Sequence, residues 1–205
     1  MILIGYSGHA FVVYGILKAA GHTVTGYCDR EEKMQNPFQL PYLGMENSDN
    51  AIMAMAQTGC FVAVGDNLIR RNIFEQLVIK RIQINNAIHP KSVVDSTTVI
   101  ATMGVMIAPN VTINPLANIG SGAICNTGCI IEHECIVGDF SHIGPGAVLC
   151  GKVIVGEGSF IGANSVVRQG ICIGKNVLIG AGAVVVKDVP DNSLVIGNPG
   201  MHRSI

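Results

Sequence analysis

The sequence predicts an α/β segment with a small Rossmann-like parallel sheet over residues 1–86, followed by an all-β parallel β-helix over residues 87–205 that ends in a short tail. Two observations carry this reading. From His89 to Pro190 the chain divides into 17 consecutive hexads, among them IGSGAI, CNTGCI, IEHECI, VGDFSH, IGPGAV and LCGKVI, with no insertion between them. Ahead of that frame, short apolar runs alternate with stretches of helical spacing.

The first position of most hexads is Ile, Val or Leu, the second is often Gly, and the fifth is nearly always Ala, Ser, Cys or Val. A helix of 3.6 residues per turn cannot keep such a pattern on one face, and a period-two strand does not space Gly so regularly. A six-residue unit cannot bury its apolar side chain alone, so the units must stack and share a core. Three short strands make one coil, and 17 hexads make between five and six coils. Large aliphatics at position one fill the prism, and smaller residues at position five fit where it narrows. Each buried Ile or Val contributes roughly 1.5–3 kcal/mol.

In the first segment, Met1–Ile4 reads as a strand, Gly5–His9 as a turn, and Ala10–Ala20 as a helix closed by Gly21. Thr23–Cys28 reads as a second strand ending at Asp29, Ala51–Thr58 as a helix, Cys60–Val64 as a third strand and Asn67–Lys80 as a last helix. Alternating strands and helices build a doubly wound parallel sheet, whose ligands sit beyond the carboxyl ends of the strands. Three turns fall there: Gly5–His9, Asp29–Arg30 and Gly65–Asn67. The first offers backbone N–H groups at a helix N-terminus, which suits a phosphate. However, GYSGHA is short of a full G-x-G-x-x-G and suits ordinary turn chemistry equally. Asp29 suits a ribose or sugar hydroxyl, or a helix cap. His89, next to Pro90 where the first hexad opens, reads as structural.

Composition narrows the classes. A net charge of -1 leaves no electrostatic footprint for nucleic acid or an anionic membrane. No apolar run approaches the ~20 residues needed to span a bilayer, and the N-terminus has no basic region of a signal peptide. Seven Cys without a C-x-x-C pair suit buried thiols in a reducing cytoplasm rather than a metal site. Cys125, Cys129 and Cys135 fall at inward repeat positions.

Two hexads break the repeat chemistry. IEHECI carries Glu132, His133 and Glu134 where its neighbours have small or turn residues, and VGDFSH ends in His142. An imidazole titrating near neutrality can take a proton from a nucleophile, and a carboxylate on its other nitrogen fixes the tautomer and raises its basicity. Nine residues, half a coil, separate the two histidines, so they belong on different faces of the prism. A site using both must wrap an edge or draw on a neighbouring protomer.

The IGYSGHA turn at residues 4–10, VGDNLIRR at 64–71, NTGCIIEHECIVGDFSH at 126–142 and IGNPG at 196–200 together resemble the hexapeptide-repeat sugar acetyltransferases. This family includes the UDP-4-amino-sugar N-acetyltransferases of bacillosamine synthesis and the sialic acid O-acetyltransferases. The resemblance implies a left-handed coil, a homotrimer with active sites between adjacent β-helices, acetyl-CoA along the C-terminal coils, and a UDP-amino sugar on the N-terminal domain. It implies His133 as general base and Glu134 as the residue raising its basicity. It assigns His142, Ala163 and Ala181 to acetyl-CoA, and Ser7, Gly8, His9, Asp29, Arg30, Gly65 and Asn126 to the nucleotide sugar. Arg30 departs from the bacillosamine type, which carries a second Asp there.

The reaction expected is direct acetyl transfer to a sugar 4-amino group in a ternary complex, with no metal. Backbone N–H groups near Gly151 are candidates for the oxyanion. An acyl-cysteine route is disfavoured because the thiols near His133 fall at inward positions. Sialic acid O-acetylation is the runner-up and a serine-type acetyltransferase a distant third. A metal-bound carbonic anhydrase needs three convergent His ligands, and this block has two. A bare β-helical scaffold would not need a separate nucleotide-type domain.

Overall fold

The computed structural model describes residues 1–203. The first segment holds β1 (Ile2–Ile4), α1 (Gly8–Ala19), β2 (Gly26–Cys28), α2 (Asp49–Thr58), β3 (Cys60–Val62) and α3 (Asn67–Ile79). The sheet is parallel, in the order β2-β1-β3. All three strands are buried on both faces, which explains why they read as continuous apolar runs rather than alternating ones. β2 and β3 are shorter than the sequence suggests, because Thr23–Thr25 and Ala63–Val64 pass into loops at the sheet ends. Gly21 has φ +82°, the left-handed turn that stops α1.

From Ala87 the chain winds into a triangular coil of two-residue strands. The strands stack in three parallel sheets that contain eight, six and five strands. The eight-stranded sheet includes the tail, where Leu194–Ile196 joins in parallel and Met201–Arg203 returns antiparallel. From Met106 to Val167 every strand pairs with the one 18 residues later, as Ile124 with His142 and His142 with Phe160. Position one (Ile119, Cys125, Ile131, Val137, Ile143, Leu149) and position five (Ala123, Cys129, Cys135, Ser141, Ala147, Val153) are buried throughout. Cys125, Cys129 and Cys135 therefore act as small interior residues, as the repeat frame requires.

The unbroken run of 17 hexads is not what the coil contains. Ala87 pairs with Met106 and Val99 with Asn118, each 19 residues apart, so the first coil holds one extra residue between Ala101 and Val105. Its interior positions are Ile88, Val94 and Ile100, one place earlier than the frame from His89 puts them. The extra residue accommodates the neighbouring segment: a Cβ on Gly104 would lie 2.7 Å from the Phe74 ring of α3. At the far end Ile173 meets Val189, so the last coil is two residues short.

Both parts share one core, with Leu3, Val13 and Leu17 in the same cluster as Ile107 and Ile131. The segment packs on the outer side of the eight-stranded sheet. There the outward residues Ala87, Met106, Ile124 and His142 are buried, whereas Leu178 further along is 43% exposed. His142 thus sits where the covered half of the sheet gives way to the open half.

Candidate active site

Three concave regions surround the expected residues. The first, about 650 Å³, lies beyond the carboxyl ends of β1, β2 and β3 and is lined by Ser7, Asp29, Arg30, Glu46, Gly65 and Asp66, among others. The second, about 820 Å³, runs from Gly65, Asp66 and His142 along Phe160 and Leu178 to Asn176 and Asn192. Gly65 and Asp66 line both, so the two cavities adjoin there. The third, about 430 Å³, lies on another edge of the coil and holds His133, Gly151, Glu132, Cys150, Lys152 and Gln169.

In the first region the two helix starts differ. Asp66 caps α3 by accepting from the Ile69 amide at 2.8 Å. Ser7 at the start of α1 makes no side-chain cap, and no acidic residue occupies the first turn. Nothing lies within 4 Å of the Cβ position of Gly8, so the amides there are open to an anion. Asp29 is not a helix cap. Its Oδ2 accepts from the Tyr6 amide at 2.8 Å, its Oδ1 accepts from the Arg30 amide at 2.7 Å, and Lys33 Nζ lies 3.2 Å away. The carboxylate is thereby fixed at the end of β2, with the exposed Arg30 side chain beside it.

At the junction lies Arg70, 1% exposed. Its Nε donates to the Gly122 carbonyl at 2.9 Å, and Nη1 donates to the Val64 and Gly65 carbonyls at 3.1 and 3.0 Å. Nη2 donates to Asn67 Oδ1 and to the Phe140 carbonyl, both at 2.8 Å. Burial pushes the guanidinium down to about 10, which leaves it charged at neutral pH.

His9 and His142 face each other nearby with ring centroids 6.2 Å apart. Burial, reinforced by Arg70, lowers His9 to about 4. Burial, then Arg70 and His9, lowers His142 to about 4, against a weak opposing pull from the Gly65 carbonyl. Both rings are therefore neutral at pH 7. Asn126 lies 3.0 Å from His142 Nε2, which fixes that ring, while His142 Nδ1 and His9 Nε2 are buried without a partner. Ala163 and Ala181 stack one coil apart at the corner that follows these strands.

At the third region, Glu134 Oε2 is 3.0 Å from His133 Nδ1, which leaves Nε2 free to act on a substrate. Lys152 Nζ approaches the other Glu134 oxygen at 3.6 Å. Gly151 leaves room for the ring: a Cβ there would meet His133 Nε2 at 2.5 Å. The Gly151 amide donates to nothing among the described residues, as an oxyanion donor should. Cys150 departs from the expectation that thiols near His133 point inward, because it is half-buried and lines this cleft. Lys152 and Arg70 were not singled out from sequence.

The structure thus brings Ser7, Asp29, Arg30 and Gly65 together, and gathers His9, Asn126 and His142 beside them. It keeps His133, Glu134 and Gly151 on a separate corner, consistent with the half-coil spacing. Among the described residues no group of three or more His, Cys, Asp or Glu side chains could hold a metal ion, and no helix is long and apolar enough to cross a membrane.

Residues 1–77 match the family model described as the PglD N-terminal domain, and residues 152–187 match the hexapeptide repeat of succinyl-transferase. A crystal structure of a point variant of perosamine N-acetyltransferase from Caulobacter crescentus, with CoA and GDP-perosamine, is 36% identical, with TM-score 0.92, over 100% of this chain and 96% of that one. The chain belongs to the hexapeptide-repeat sugar N-acetyltransferases. Within this family of enzymes, the acetyltransferase domain of PglB from Neisseria gonorrhoeae, with acetyl coenzyme A, is 30% identical, with TM-score 0.88, over 98% of both chains. GDP-perosamine N-acetyltransferase of Escherichia coli O157:H7 is 35% identical over 92 residues, 45% of this chain and 41% of that relative. Membership accounts for the left-handed parallel β-helix with a parallel N-terminal sheet.

Proposed function

We propose that this sugar acetyltransferase moves the acetyl group of acetyl-CoA to the 4-amino group of a nucleotide-linked amino-dideoxy sugar, within a ternary complex. The observation that carries the reading is the pair of cavities that adjoin at Gly65 and Asp66. One end offers an open helix start at Ser7–Gly8 and a fixed carboxylate at Asp29, which suit a diphosphate and a ribose. The other end runs past His142 along Phe160 and Leu178, an apolar slot that suits the pantetheine arm. Arg30 and Glu46 border the end that would receive the base.

In this reading His133 takes the proton from the amine as nitrogen attacks the thioester carbonyl. Glu134 holds the Nδ1 tautomer, the Gly151 amide faces the oxyanion, and CoA leaves as the thiol. Neutral His142 with Asn126 orients the acyl end. His133 and His142 line different cavities of the chain, and in this reading the site is completed between copies of a homotrimer. Ile136 and Ile154, 45% and 41% exposed, lie on the five-stranded face that is free to meet a neighbour. Reduced thiols throughout suit a cytoplasmic enzyme making sugars for bacterial surface glycans.

A GDP-linked sugar is favoured over the UDP-linked sugar implied by the sequence motifs, because relatives at 35% and 36% identity bear GDP-perosamine in their names. The test is thiol release from acetyl-CoA with matched GDP- and UDP-linked 4-amino sugars and with sialic acid. Turnover of a nucleotide 4-amino sugar supports the proposal, and turnover of sialic acid alone refutes it.

A further inference from the structure

Arg70 is the most buried charged side chain of the molecule, and no carboxylate lies within ion-pair distance of it among the described residues. The Asp66 carboxylate acts on it only from beyond that distance, and a cation kept from water without a direct ion pair is costly, so its geometry calls for a reason. Nη1 draws the carbonyls of two successive peptides, Val64 and Gly65, to one side. In a trans peptide the N–H points opposite to the C=O, so the amides of Gly65 and Asp66 face the other side. Neither amide donates to any backbone group among the described residues. Successive amides turned the same way form a concavity for an anion. Gly65 and Asp66 line both cavities, and His142, 6% exposed, lines one of them. The carboxylate of Asp66 is turned to the Ile69 amide instead.

We infer that the Gly65–Asp66 amides seat the phosphate adjoining the sugar, and that Arg70 is a positioning residue which holds this seat without touching the ligand. The inference rests on the reading of the adjoining cavities as a nucleotide-sugar site. The guanidinium does two things there. Its planar fork grips both carbonyls at once, which an ammonium cannot do, and its charge raises the potential where the phosphate settles.

Titration calorimetry of the full chain with GDP and GMP, and with UDP and UMP in parallel, tests it. Wild type should bind one diphosphate at least about tenfold tighter than its monophosphate, the expected size of one or two charge-assisted hydrogen bonds. Arg70→Lys keeps the charge and loses the fork. It should cut that ratio to about threefold or less while monophosphate affinity stays within about threefold, whereas a general structural role would weaken both alike. Should Arg70→Lys fail to fold, hydrogen exchange on wild type decides: the segment 64–68 should be protected by the diphosphate and much less by the monophosphate. A retained wild-type ratio, or equal protection by both ligands, overturns the inference and leaves the nucleotide reading standing. Failure of wild type to bind any of the four overturns both.

Discussion

Acidification should force protons onto His9 and His142, and the cost follows from their surroundings. Both rings are held at about 4 by burial and by Arg70, against an ordinary value of 6.5. The unfolded chain binds protons that the folded chain refuses, so their contribution to stability is complete above about pH 6.5 and drains as pH falls toward 4. A displacement of this size corresponds to about 3 kcal/mol per ring at its limit and about 2 kcal/mol per ring at pH 5. Carboxylates titrate mostly below this window, so the loss between pH 7 and pH 5 belongs largely to the two imidazoles. Urea unfolding across that range should show wild type losing about 4 kcal/mol, and His142→Asn losing about half as much. A wild-type stability flat from pH 7 to pH 5, or an identical slope in the variant, would refute the burial argument.

Gly151→Ala places a methyl against His133 Nε2 at 2.5 Å, so the ring must swing and kcat should fall by about 10² or more with an unchanged circular dichroism melt; a normal rate would contradict the proposed ring position. Lys152→Met removes an exposed ion pair to Glu134 and should cost about 0.2–1 kcal/mol in urea unfolding, more in low salt than in high; a loss that does not depend on salt would contradict the contact. Ile161→Asp buries an unpaired charge in a position-one site that is 0% exposed and should cost several kcal/mol, seen as a lost or much earlier melt; an intact melt would break the repeat register.

Much of this was written in the hexads. Positions one and five name the interior because a coil of fixed period must repeat its inward residues, and the half-coil spacing of His133 and His142 put them on different faces before any geometry was seen. A further rule was present but unread. Position four is left-handed in thirteen successive hexads, from Asn110 to Gly182, which explains why Gly and Asn recur there. The residues that break this rule are Leu116, Glu134, Phe140 and Lys152. Glu134 and Lys152 meet at the candidate base, and Phe140 packs on Phe74 and lies under Arg71. Non-Gly residues held at positive φ cluster at functional sites, so this pattern would have flagged Lys152.

What the sequence concealed depended on contacts between distant segments. The extra residue near Gly104 is invisible in a frame count because the exposed Val93 and Val99 fall at position five of that frame, where Val is an ordinary interior residue elsewhere. Arg70 reads as one of two arginines on a helix surface, and only the fold shows that Gly122 and Phe140, 52 and 70 residues away, close over it. The neutral state of His9 and His142 is likewise a product of tertiary burial.

The proposed role of His133 as the base that deprotonates a sugar amine has a direct test. Thiol release from acetyl-CoA, measured with a GDP- or UDP-linked 4-amino sugar, should fall by about 10²–10⁴ in kcat for His133→Asn while the KM for the nucleotide sugar stays near the wild-type value. A His133→Asn enzyme that turns over at the wild-type rate would contradict it.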